Sequence, residues 1–210
     1  MATDSELVAA WRRGDQRSGE LLFERYYDAI TRFFYNKAGD RAADLVQKTF
    51  LACVEGLPRM RDDARFRSYL FGIAHNLLRK YYRSKSRAGQ HLDFEEISVY
   101  DLSSSPTKGI AARQEQRLLL EALRRIPIDY QVVLELFYWE SMTAADIAEI
   151  SEAPLGTVKT RIRRGRQLVE DRLAEIASSG QLLESTINDL EGWAKSLRDR
   201  LRQVQPTSKK

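Results

Sequence analysis

The stretch SMTAADIAEISEAPLGTVKTRIRRGRQ, Ser141 to Gln167, decides how this chain is read. Thr143 followed by Asp146 has the form of a capping box, and Ile147, Ala148 and Ile150 give one short apolar helix face. Ser151-Glu152-Ala153 reads as a turn, and Pro154 suits the first position of a second helix. At about 100° per residue, Val158, Ile162, Gly165, Val169 and Leu173 share one side of that helix. Thr160, Arg163, Arg164 and Gln167 fall opposite, with Lys159 and Arg166 on one flank and Arg161 on the other. No acidic residue occurs from Lys159 to Arg166. The spacing predicts a helix-turn-helix whose second helix is basic and hydrogen-bond-rich outward, the form that enters a major groove. A merely solvated basic face is the competing explanation, but it leaves the agreement of cap, turn and core stripe unaccounted for.

Outward from this stretch, 210 residues leave room for one large or two small domains. A hydrophobic content of 43% with 30% charge is ordinary for a folded chain. The net charge of +4 is modest, so any attraction for nucleic acid rests on local excess. One cysteine, Cys53, allows no internal disulfide, and with only His75 and His91 besides, neither a metal site nor a cofactor is expected. No apolar run is long enough to span a bilayer and no signal sequence opens the chain, so a cytoplasmic setting without a membrane is expected.

Glycine and proline are scarce and β-branched runs absent, which predicts an all-α fold. Helices are expected at Ser5–Arg13, Glu20–Asn36, Asp44–Glu55 and Phe66–Arg83. They resume at Ile110–Arg125 and at Ile128 to about Trp139. Between them, residues 88–107 carry Asp93, Glu95, Glu96 and Asp101 and no helical period, the signature of an acidic linker. The expected organisation is a first domain at 1–87, a linker at 88–109, a helix-turn-helix domain at 110–175 and a helical tail at 176–210. In the tail, Leu183, Ile187, Leu190, Ala194, Leu197 and Leu201 form a short heptad-like stripe. It fits either a helix folded back on its own domains or a docking tail that restrains DNA binding.

Two helices of the first domain carry outward faces of interest. On the fourth, Phe66, Leu70, Ile73, Ala74, Leu77 and Tyr81 make the core side. Asn76, Arg79 and Arg83 lie on the far side with Lys80 beside them, a face that is either plainly solvated or follows a nucleic-acid backbone. On the third, Leu45, Val46, Thr49 and Cys53 form the core stripe, while Leu51 and Val54 stand among Asp44 and Gln47. That mixed face fits a protein-binding surface or a helix packed on both sides.

DLVQKTFL (44–51), FRSYLFGIAHNLLRKYYR (66–83), IPIDYQVVLELFYWESMTAADIAE (126–149) and APLGTVKTRIRRGRQLV (153–169) occur in this order. In these stretches the chain resembles the extracytoplasmic-function (ECF) group of bacterial RNA polymerase sigma factors. The resemblance implies a protein that performs no bond chemistry but binds core RNA polymerase and promoter DNA, with an anti-sigma factor as a possible partner. By motif position it implies polymerase contact through Asp44, Gln47 and Leu51. It assigns capture of a melted strand to Met60, Asn76, Arg79, Lys80 and Arg83. Reading of the upstream promoter element falls to Lys159, Thr160, Arg163, Arg164 and Arg166. The acidic linker resembles the segment that threads toward the polymerase cleft. The chain departs from relatives at Lys48, where glutamate is common, at Ser151-Glu152, where Leu-Gly is usual, and at Met60, often an aromatic. A two-domain helix-turn-helix transcriptional regulator, or a protein-interaction adaptor, are the alternatives. Dependence on core polymerase separates the first from a sigma factor, and steep salt dependence of DNA binding excludes the second.

Overall fold

The computed structural model describes residues 2–60, 62–85 and 114–176, together with Phe94, Ser98 and Gly192. These residues are helical, with no β-strand among them beyond an isolated bridge between Ser98 and Pro127. Eight α-helices follow in order: α1 Asp4–Arg12, α2 Gln16–Ala38, α3 Ala42–Gly56, α4 Phe66–Lys85, α5 Gln114–Arg124, α6 Ile128–Leu134, α7 Ala144–Ser151 and α8 Leu155–Ile176. The all-α expectation is met. Most of the expected linker and the stripe from Leu183 to Leu201 lie outside the described residues.

Local chemistry sets the boundaries. A capping box between Thr3 and Glu6 starts α1 one residue before the expected Ser5. Gly14, at φ 100°, turns the chain, and Asp15 caps α2 by accepting from the Arg17 N–H at 3.1 Å. That cap starts α2 at Gln16, four residues before the expected Glu20. Beyond α6 the helix widens into a π-helical turn, Glu135–Trp139. Such turns are uncommon and cluster at functional sites. This one carries Glu135 inward.

One apolar core joins the two groups of helices. It runs from Leu7 and Val8 of α1 through α2, α3 and α4, and continues into Val132, Val133, Leu136, Ile147 and Ile150 of the second group. A second cluster packs α5 against α6 and α8 around Leu123, Leu134, Trp139 and Leu173. The fourth helix is therefore buried on more sides than its own stripe requires. Phe71, His75, Leu78 and Tyr82 are buried alongside Phe66, Leu70 and Ala74, while Ile73, Leu77 and Tyr81 are only half-buried. The extra buried side meets α2, through Phe33 against Phe71 and the Lys37 carbonyl that accepts from Tyr82, and α7, through the Ile150 backbone beside His75, partners that periodicity within one helix does not specify.

Candidate nucleic-acid interface

The helix-turn-helix is built by local hydrogen bonds. Thr143 Oγ1 accepts from the Asp146 N–H at 3.2 Å, and the Asp146 carboxylate accepts from the Thr143 N–H at 3.0 Å. Two donors left over at the start of α7 are thereby satisfied. The helix stops at Glu152, which adopts the left-handed conformation (φ 53°, ψ 35°), and the Ala153 N–H closes the turn on the Ala148 carbonyl at 3.0 Å. Val158, Gly165, Val169 and Leu173 of α8 are buried and Ile162 is half-buried. A Cβ at Gly165 would stand 3.2 Å from Leu134, so a glycine there lets α8 lie close on α6. That approach turns Lys159, Thr160, Arg163, Arg164 and Gln167 outward, all exposed. Arg166 is exposed too and pairs with Glu170 at 3.0 Å. Among the described residues no ion pair engages Lys159, Arg163 or Arg164. Arg161 turns inward instead and meets Asp129 at 3.2 Å.

The segment before α4 is held by Arg12, whose guanidinium donates to the carbonyls of Leu57 (3.0 Å) and Met60 and pairs with Asp63 at 3.2 Å. Met60 is buried at the base of this segment, yet it lines a cleft of about 600 Å³ with Asn76. Glu149 and Glu152 form part of the opposite wall. An adjoining cleft of about 560 Å³ is lined by Asn76, Arg79, Lys80 and Arg83 and faces Ser151 and Glu152. The fold thus brings together all five residues expected at a melted strand, with Asn76, Lys80 and Arg83 exposed. Arg79 is engaged: it reaches Asp129 at 3.5 Å and lies 4.6 Å over the Phe94 ring.

On α3, Leu45, Val46, Thr49 and Cys53 are buried, whereas Leu51 and Val54 are 56% and 44% exposed. Gln47 is exposed and Asp44 half-exposed, paired with Lys48 at 2.8 Å across one helical turn. No described residue covers this mixed face, so packing on both sides does not account for it.

Where the halves meet, charged side chains that periodicity did not single out are buried. Arg32 of α2 forms a two-pronged bond with Glu140 (2.9 and 3.1 Å), and Lys37 pairs with Glu135. Burial pushes the Lys37 ammonium down and the Glu135 carboxyl up, each opposed by the other's charge. His75, also at this seam, is pushed down from 6.5 to about 4 by burial and by the Arg79 cation, against a hydrogen bond to the Ile150 backbone. The available signal was Arg32 and Lys37 interrupting the aromatic, apolar C-terminal half of α2. A polar residue on a packed face requires a partner, but spacing does not name it.

Comparison with known proteins decides the family. The Sigma-70 region 2 model matches residues 22–88, and the Sigma-70, region 4 model matches residues 116–169. The chain is an ECF-group sigma factor. It is 26% identical over 181 residues to the ECF RNA polymerase sigma-E factor of Haemophilus influenzae, covering 81% of this chain and 95% of that one. To the sigma-E factor of Escherichia coli K12 it is 28% identical over 181 residues, covering 81% and 94%. In fold the sigma factor is similar to CnrH, solved in complex with the cytosolic domain of CnrY (TM-score 0.60, 23% identity, 83% of this chain and 99% of that one). It is also similar to the sigma factor RpoE of Bartonella quintana, solved with the anti-sigma factor NepR (TM-score 0.55, 21% identity, 75% and 98%). As a sigma factor it directs promoter recognition in transcription initiation. No helix among its described residues is long and apolar enough to cross a membrane.

Proposed function

We propose that this sigma factor divides promoter recognition between two faces and reserves a third for the polymerase. Lys159, Thr160, Arg163, Arg164 and Arg166 of α8 read and grip the upstream element in the major groove, where arginine and lysine match the acceptors of guanine. Met60, Asn76, Arg79, Lys80 and Arg83 hold the melted strand: the amide pairs with an unstacked base and the cations follow the backbone. Asp44, Gln47 and Leu51 of α3 contact core RNA polymerase. Residues 1–87 and 110–175 act as the two recognition domains, tethered by 88–109. Promoter opening is preferential binding of the open state, a shift of population and not bond chemistry. The protein works in the cytoplasm beside polymerase and template.

The observation that carries this reading is that Lys159, Thr160, Arg163 and Arg164, all exposed and with no acidic residue between them, stand on the outer face of α8 within the region 4 match. The similarity to a sigma factor solved with an anti-sigma factor supports a partner of that kind here. The test is gel filtration of the purified chain with core polymerase, followed by run-off transcription. Co-elution and promoter-specific transcripts that require the chain are expected. Tight operator binding without core polymerase, and no dependence of transcription on the chain, would establish a conventional regulator instead.

A further inference from the structure

Arg12, the last residue of α1, lies outside every stretch that carries the family resemblance, yet its guanidinium holds three points of the segment that contains Met60. We propose that Arg12 is a positioning residue for base selection. Its forked grip on the Leu57 and Met60 carbonyls sets where Met60 meets an unstacked base in the cleft shared with Asn76. This role rests on the assignment of Met60 and Asn76 to the melted strand.

The grip has a firm base. Leu7 and Val8 of α1 are buried in the core, and α1 packs on α2. At the start of α1, Asp4 pairs with Arg25 and accepts from the Tyr26 hydroxyl. Toward its end, Trp11 meets Phe23 edge-on with ring centroids 5.4 Å apart. A Cβ at Gly19 would stand 2.7 Å from the Trp11 ring, so the glycine lets the indole lie directly on the α2 backbone. Both ends of α1 are thereby fixed on α2, and Arg12 reaches from that base to the connection between α3 and α4.

The reach is long in sequence and short in space. Nη2 donates to the Leu57 carbonyl at 3.0 Å and to the Met60 carbonyl, 45 and 48 residues away. Nη1 meets Asp63 Oδ1 at 3.2 Å, and with side chains 31% and 24% exposed the pair is screened less than one in open solvent. The Leu57 carbonyl also accepts from the Met60 N–H at 3.2 Å. Met60 is extended (φ −66°, ψ 127°) and stands between two single helical turns, Leu57–Arg59 and Asp63–Arg65. The direction of its carbonyl is therefore set from outside the segment. A planar guanidinium has preset donor directions that suit this task, which a flexible ammonium lacks.

The chemistry of Met60 makes its backbone decisive. The side chain is buried and unbranched, and a thioether adapts to whatever it meets. Selection among bases then depends on where the main chain is held, and binding constellations need placement within about 0.5 Å. An arginine that only stabilised the fold would lower affinity for every base alike.

In the experiment, holoenzyme made with the full chain binds a library of bubble templates randomised along the melted non-template strand, and retained templates are sequenced. The native chain should prefer one base at one position, and Met60→Ala should flatten that position. Arg12→Met should flatten the same position, the ratio of preferred to disfavoured bases falling at least tenfold. Arg13→Met, which removes the same charge from the exposed neighbouring residue, should keep the native ratio. Arg12→Lys keeps a charge for Asp63 but not the fork, and should stay flattened. Weaker retention of the whole library with native ratios in Arg12→Met marks a structural role and overturns the proposal. Flattening spread equally over all positions does the same. Native ratios in Arg12→Lys overturn the forked grip, and this variant decides alone if Arg12→Met does not fold. A native chain without base preference at any position overturns the melted-strand assignment itself, an outcome distinct from unchanged ratios in the variants.

Discussion

Glu152 shows how a single residue records what the fold demands. Its φ of 53° is open to glycine at little cost, whereas a side chain there incurs strain of about 1 kcal/mol. Glu152→Gly should therefore raise unfolding stability by about 0.5–1 kcal/mol, read as a higher urea midpoint. An unchanged or lower midpoint would mean that the Glu152 carboxylate contributes more at the seam than the strain takes away. On α8, Arg163→Ala or Arg164→Ala should weaken binding of the holoenzyme to the upstream element by about 1–3 kcal/mol. Loss confined to one base position by competition with mutated promoters would identify a base contact; uniform loss would mark a phosphate contact.

At the scale of elements, the helix-turn-helix was legible because each signal was local. The Thr143–Asp146 cap, the turn at Glu152 and the stripe through Val158, Gly165, Val169 and Leu173 are all fixed by residues within a few turns of one another. The exposed face of α3 followed from the same arithmetic, since Leu51 and Val54 fall opposite the residues that α3 buries. Two things were not legible. The π-helical turn at Glu135–Trp139 has no periodic signature, and the burial of His75 depends on α7, far along the chain. Lys37 and Glu135 offer a direct measure of that long-range packing. Lys37→Met alone should cost about 3–5 kcal/mol by leaving a buried carboxylate unpaired, while Lys37→Met with Glu135→Leu should recover most of it. The check is a double-mutant cycle by chemical denaturation; equal costs for single and double variants would show the pair uncoupled.

For the whole molecule, the sequence separates two groups of helices by an acidic stretch, and the structure joins them through one core and a charged seam. Periodicity reveals which faces are apolar, but not which face meets which, and so the seam could not be read in advance. It has a pH consequence. His75 is buried in the neutral form and faces Arg79, Arg161 and Lys37, so its value falls from 6.5 to about 4. The unfolded chain therefore binds the proton more readily in this window. The contribution of a neutral His75 is complete above pH 6.5 and is lost progressively as pH falls toward 4, at most about 3 kcal/mol. Urea midpoints measured across this range should fall more steeply for the native chain than for His75→Gln. Parallel curves would remove His75 from the account.

The claim on which the rest turns is that the sigma factor reads duplex and melted DNA with separate faces. Run-off transcription with core polymerase, on a duplex promoter and on the same promoter with a pre-opened mismatched bubble, tests it most directly. Asn76→Ala should initiate at least tenfold less on the duplex and recover most activity on the bubble, while Arg163→Ala should be impaired on both. Equal impairment of Asn76→Ala on the two templates, or recovery of Arg163→Ala on the bubble, would contradict the division.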